Sequence, residues 1–202
     1  MLISGRGSNL QSIVGSIARG ELAATVAVVI SNRPEAAGLL RAREAGLPTV
    51  CLRPKDYEGR DAYDGALAEA LTEAQVDLVC LAGFMRLVGP RLLDAFPDRI
   101  LNIHPSLLPA FPGLDAQRQA LEHGVRVTGA TVHLVNGELD GGPIVAQAAV
   151  PVLPADTVES LSARILIEEH RLYPSAIAAL LGGGWHIEGR RFITGAAPAG
   201  RT

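Results

Sequence analysis

The strongest constraint on how this chain can fold is an alternation, over its first 105 residues, of short apolar β-branched runs with longer segments at helical spacing. The runs are TVAVVIS at 25–31, TVCL at 49–52, DLVCLAG at 77–83 and RILNIH at 99–104. Between them lie SNLQSIVGSIARG at 8–20, EAAGLLRAREAG at 35–46 and RDAYDGALAEALTEA at 60–74. Strands apolar on both sides need cover on both sides, and strands joined through helices pair in parallel with right-handed crossovers. The pattern predicts an α/β fold with a doubly wound, mostly parallel sheet, Rossmann-like in residues 1–105. After Asn102 it gives way to a Pro-rich loop (HPSLLPAFPG), a helix near 115–123 and two strands, TGATVHLV at 128–135 and PIVAQAAVPV at 143–152, around NGELDGG. These predict an antiparallel or mixed extension of the sheet. A long helix is expected from Asp156, whose carboxylate is a good N-cap, to Leu181 before the glycines at 182–184. No linker or internal repeat divides the chain, so 1–202 reads as one domain, with halves at 1–105 and 106–195 and a frayed end, GAAPAGRT.

Composition narrows the function classes. Hydrophobic residues make up 48% and charged residues 19%, with a mean hydropathy of +0.24, so the chain has the material for a core. A net charge of −3 argues against a large nucleic-acid footprint but leaves room for a small anionic ligand. No apolar run reaches the roughly 18 residues of a membrane span, and MLISGRGSNL has no basic region ahead of an apolar segment. The reading is a cytoplasmic protein without membrane or nucleic-acid partners. Cys51 and Cys80 sit in apolar stretches without a CxxC spacing, as buried reduced thiols do. The single lysine, Lys55, follows Pro54 rather than a glycine-rich loop, which excludes a Walker A motif.

Three segments can carry chemistry. Gly5-Arg6-Gly7-Ser8-Asn9 follows the stub of a first strand and opens a helix, where free N–H groups and the positive helix end favour a phosphate. It lacks the third glycine of a dinucleotide loop, and a plain N-cap after a turn explains Ser8 almost as well. Asn102-Ile103-His104-Pro105-Ser106 ends a strand, and alternation puts Asn102 and His104 on one face, an amide donor beside a proton carrier. A satisfied strand-end histidine is the competing explanation. Glu138-Leu139-Asp140-Gly141-Gly142-Pro143 is either a simple turn or a turn that carries Asp140 to His104, with His133 upstream. The ligand spacing does not favour a metal site.

Together these segments resemble the phosphoribosylglycinamide formyltransferases, a branch of the folate-dependent formyltransferase superfamily, along nearly the whole chain. The matching stretches are ISGRGSNLQ at 3–11, SNRPEAAGLLRAREAG at 31–46, LAGFMRLV at 81–88, LNIHPSLLPAFPG at 101–113, RQALEHG at 118–124, TGATVHLV at 128–135, ELDGGPIVAQ at 138–147 and EEHRLYP at 168–174. The resemblance implies formyl transfer from 10-formyltetrahydrofolate to the amine of 5-phosphoribosylglycinamide in purine synthesis, directly, without metal or covalent intermediate, by a monomer or homodimer. It implies a phosphate-binding half at 1–105 and a folate-binding, catalytic half at 106–195. Gly7, Ser8 and Asn9 would cradle the substrate phosphate, and Glu169 would contact its ribose. Arg60, Met85, Arg86, Leu87 and Val88, with Asn102 and the turn at 136–140, would hold the folate. Asn102, His104 and Asp140 would be catalytic, with Asp140 supporting a protonated His104. A formyltetrahydrofolate hydrolase and a methionyl-tRNA formyltransferase carry an extra domain for which 202 residues leave no room. A non-catalytic nucleotide-binding or redox module gives no use for NIHPS and LDGG together. Two departures stand out: only Met1-Leu2-Ile3 precede Ser4, predicting a shortened first strand, and Asp115 stands where the family commonly has histidine.

Overall fold

In a computed structural model of the chain, which describes residues 1–195, the alternation becomes one nine-stranded sheet covered by helices. Of the frayed end expected at 195–202, residues 196–202 lie outside the described residues. In chain order the elements are β1 (Leu2–Ile3), α1 (Ser8–Ala18), β2 (Val29–Ser31), α2 (Ala37–Glu44), β3 (Thr49–Cys51), α3 (Gly59–Glu73), β4 (Val79–Leu81), α4 (Pro90–Ala95) and β5 (Ile100–His104). There follow α5 (Ala116–Glu122), β6 (Val127–Leu134), β7 (Ile144–Pro151), α6 (Val158–Leu181), β8 (Trp185–Glu188) and β9 (Arg191–Thr194). The strands lie in the order β3-β2-β1-β4-β5-β6-β7-β9-β8. The first five are parallel, and β6 is antiparallel to both β5 and β7.

Alternation along each strand sends successive side chains to opposite faces. Ile3, Val29, Leu101 and Ile103 bury beneath α1, α2 and α6 against Leu10, Ile13, Leu39, Tyr173 and Ile177. Leu2, Ile30, Val79 and Ile100 bury beneath α3 and α4 against Tyr63, Leu67, Leu71 and Leu92. Each fully buried side chain of this size contributes about 1.5–3 kcal/mol, which is what holds such short strands in place. Tyr173 adds a polar tie, its hydroxyl donating to the carbonyls of Leu81 and Leu101 at 3.1 and 3.0 Å.

Two expectations are corrected and one element is added. The run at 25–31 is strand only over Val29–Ser31: the β1 ladder pairs Leu2 with Ile30 and Ile3 with Ser31, and among the described residues 25–28 join no ladder. The cap of α6 is Thr157, whose hydroxyl accepts from Ser160 N, while Asp156 is taken by a two-pronged ion pair with Arg164 at 2.7 and 2.8 Å. The sheet also continues past α6 into the β8–β9 hairpin, which carries it beyond β7.

Candidate active site

The carboxyl ends of β1, β4 and β5, neighbours in the sheet, lead into the Gly5–Asn9 loop, the Met85–Val88 segment and the Pro-rich loop after His104. Ligands of open α/β sheets bind at this edge. Asn102 and His104 share a face of β5, and the register with β6 sets His133 opposite Asn102 and Thr131 opposite His104. Asn102 Nδ2 lies 3.1 Å from His133 Nε2, and His133 Nδ1 lies 3.0 Å from the carbonyl of Leu134. A carbonyl only accepts, so Nδ1 carries the hydrogen and Nε2 accepts from the Asn102 amide. The chain then folds back between β6 and β7, bringing Asp140 over the same face: Oδ2 is 3.4 Å from His104 Nδ1 and Oδ1 is 3.6 Å from His133 Nε2.

Asp140 reaches this place at a cost, with a φ of 49° in the left-handed region, which an Asp side chain tolerates better than most. Gly113 N donates to its Oδ2 at 2.7 Å, tying the turn to the loop after β5. Burial works against the carboxylate's charge, yet the Gly113 N–H and the neighbouring imidazoles outweigh it and hold the carboxyl below its ordinary range. His104 Nε2 lies 2.8 Å from the Phe111 carbonyl. His104 thus stands between a carbonyl at Nε2 and a carboxylate oxygen 3.4 Å from Nδ1. Ser106, Thr131 and Gln147 fix the loop that presents Phe111: Thr131 Oγ1 donates to Ser106 O at 2.7 Å and accepts from Leu108 N and Gln147 Nε2.

At the end of β1, Gly7 takes a φ of 75° and caps α1 without a side-chain hydrogen bond, leaving the first helical N–H groups free. A Cβ on Gly7 would lie 2.7 Å from Gly38 Cα, so α2 packs directly on the loop. Asn9 Nδ2 donates to Glu169 Oε2 of α6 at 2.8 Å, and burial pushes the Glu169 carboxyl up despite that bond. Asn9 Oδ1 is buried without a partner among the described residues, an acceptor open to a ligand.

At the end of β4, Met85 and Leu87 are exposed at 64% and 60%, and the Arg86 guanidinium lies 5.2 Å from the Tyr63 ring centre. Met85 N donates to Ser4 Oγ at 2.8 Å, joining this segment to the phosphate loop's strand. Arg60 faces it from α3, its Nε 3.6 Å from Asp64 Oδ2. Leu114 and Leu139 are also exposed beside Asp140. The structure thus brings Asn102, His104 and Asp140 into one cluster, sets Asn9, next to Gly7 and Ser8 in the loop, against Glu169, and turns Arg60 toward the end of the 85–88 segment. Asp115 is exposed, with a φ of 55° at the N-cap of α5, and makes no contact with the cluster. The Phe111 carbonyl and the Gly113 N–H belong to the site but are backbone groups that sequence does not mark. His133 was legible only as a histidine upstream of Asp140.

The model of the formyl transferase family matches residues 1–177. Phosphoribosylglycinamide formyltransferase of Escherichia coli K12 is 44% identical over 190 residues, which cover 94% of this chain and 87% of that protein. Trifunctional purine biosynthetic protein adenosine-3 of Bos taurus is 46% identical over 183 residues, and there the chain spans only 18% of the relative's length. The crystal structure of glycinamide ribonucleotide transformylase 1 from Symbiobacterium toebii superposes with a TM-score of 0.95 at 60% identity, covering 96% of this chain and 92% of that one. With its sheet order, its NIHPS strand end and its LDGG turn in one place, the chain belongs to the formyl transferase family.

Proposed function

We propose that the chain is a phosphoribosylglycinamide formyltransferase, which moves the formyl group of 10-formyltetrahydrofolate to the amine of 5-phosphoribosylglycinamide in purine synthesis, directly and with neither metal nor covalent enzyme intermediate. The observation that carries the reading is the cluster in which one carboxylate, Asp140, faces two imidazoles while an amide, Asn102, is oriented by the second of them. Such a set supplies hydrogen bonds and proton carriers rather than a nucleophile.

The formyl folate supplies the one-carbon unit and a leaving nitrogen, N10. In the transfer the amine nitrogen bonds to the formyl carbon, the bond to N10 breaks, the amine loses a proton and N10 gains one. Asn102 has one amide hydrogen committed to His133 and a second free to donate to the formyl oxygen, where negative charge grows. His104, as imidazolium, shares the Nδ1 hydrogen that is only loosely held by Asp140 at 3.4 Å. Asp140 accepts hydrogen bonds from water and helps move the proton from the amine toward N10. The loop at Gly7–Asn9 would hold the phosphate on free N–H groups, with Glu169 on the ribose hydroxyls. Arg60 and the Met85–Val88 segment would grip the folate.

An absorbance assay for tetrahydrofolate release tests the activity. Product formed only when 5-phosphoribosylglycinamide is present supports transfer; product without it means hydrolysis, and none in either case means a binding protein. The phosphate loop has its own test. Ser8→Ala with Asn9→Ala is expected to raise KM for the ribonucleotide about tenfold or more and KM for the folate little, since charge-assisted hydrogen bonds to the phosphate are lost. Equal effects on both substrates would remove the phosphate from this loop.

A further inference from the structure

One buried charge in the molecule has no part in the chemistry just described. Asp64, on α3, is 3% exposed, and burial pushes its carboxyl above the ordinary range in spite of the Arg60 charge, the Gly89 N–H and the Arg86 charge nearby. A carboxylate kept where its charge is costly, with a single long ion pair at 3.6 Å, is not there for stability. Its contacts show what it joins. Arg60 lies one helical turn before it on α3, and Gly89 immediately follows the Met85–Val88 segment and caps α4. The approach is close enough to demand glycine: a Cβ on residue 89 would lie 2.1 Å from Asp64 Oδ2 and 3.1 Å from Arg60 Nε. The neighbouring Tyr63 carries Arg86 over its ring. One turn of α3 thus holds both arginines and the end of the exposed segment between them.

We propose that Asp64 is a positioning residue for the formyl-folate cleft: its carboxylate, packed against the Gly89 backbone, ties Arg60 to the Met85–Val88 segment, so that both walls stand in place before the co-substrate arrives. Preorganisation of this kind improves affinity by removing the cost of ordering side chains and loop on binding. The inference rests on the folate reading of Arg60 and residues 85–88, and the experiment separates the two.

Asp64→Asn keeps the shape and an acceptor for Gly89 N–H but loses the charge that holds Arg60. It is expected to raise KM for 10-formyltetrahydrofolate about tenfold, to leave KM for the ribonucleotide within about twofold, and to place the loss in KM rather than in kcat at saturating folate. Because the charge is unfavourable where it sits, the variant should melt no lower than the parent; a purely structural role would lower the melting temperature and spare KM. Gly89→Ala, which pushes the Asp64 carboxylate away, should reproduce the folate defect, and it decides the matter should Asp64→Asn not fold. Combining Arg60→Ala with Asp64→Asn should add little to Arg60→Ala alone. A folate KM that Arg60→Ala raises and neither Asp64→Asn nor Gly89→Ala changes would overturn the positioning role. A folate KM that Arg60→Ala leaves unchanged would instead overturn the folate reading and the inference with it.

Discussion

Replacing Asn102 with alanine is expected to lower kcat about 10²–10³-fold while the dissociation constant for formyl folate stays near the parent's value. The size follows from the loss of one donor aimed at a developing oxyanion in a site screened from water. The selectivity follows from position: Asn102 touches His133 through one amide hydrogen and leaves the other for the reacting oxygen, whereas most of a folate's surface would meet the apolar side chains at 85–88 and near 139. The fold should survive, since Asn102 is only half-buried and its loss leaves one imidazole nitrogen without a donor, a cost of about 1–3 kcal/mol. Steady-state kinetics with a parallel equilibrium binding measurement decide it. A matching loss in binding would make Asn102 a general ligand of the folate rather than a group that acts on the transition state.

Asp140→Asn is expected to cost at least as much, with a signature in pH. Asparagine tolerates the left-handed backbone at this position and can still accept from Gly113 N, so the turn should persist. The variant lacks the charge beside His104 and the acceptor through which a proton moves. In the parent the carboxyl lies below its ordinary 3.8, so Asp140 stays ionised, and its contribution to the rate persists, until the pH falls past that value. The acid limb due to Asp140 should disappear in the variant. Stability has the same sign: a depressed carboxyl contributes above the unfolded pKa and is lost as pH falls through the folded one, so the melting temperatures of parent and variant should converge in acid. Turnover near the parent's with an unshifted pH profile would leave Asp140 as a turn residue only.

Much of this architecture was legible in the sequence because both of its signals are local. The short apolar runs placed β3, β5, β6 and β7 within a residue or two, and the helical segments placed α1, α2 and α3 equally well. What failed depended on partners. Residues 25–28 have the composition of a strand, but a strand exists only where a ladder forms, and β1 begins at Leu2. Asp156 and Thr157 are both good caps by type; Arg164, two turns along α6, claims Asp156 and leaves the cap to Thr157. The β8–β9 hairpin passed unread because its two four-residue strands follow three glycines and pair mainly with each other.

The site divides in the same way. Asn102 and His104 share a face by simple alternation, and the glycine turn was a reasonable vehicle for Asp140. The His133 contact with Asn102 depends on the β5–β6 register, which no single segment encodes. The Phe111 carbonyl and the Gly113 N–H are contributed by backbone, whose identity a sequence does not vary. Asp64 did carry a signal, an acidic residue four after Arg60 on the apolar face of α3 next to Tyr63 and Leu67, where an exposed ion pair has no reason to be.

The central claim is that Asn102, His104 and Asp140 act on one formyl group in transit to one amine. Single-turnover transfer of an isotopically labelled formyl carbon tests it most directly, with enzyme in excess and both substrates bound. The expected result is one labelled formyl group per ribonucleotide with the parent enzyme, and transfer slowed about 10²-fold or more by Asn102→Ala and by Asp140→Asn alike, at unchanged folate occupancy. Label appearing in free formate instead of the ribonucleotide, or transfer at the parent's rate by either variant, would contradict it.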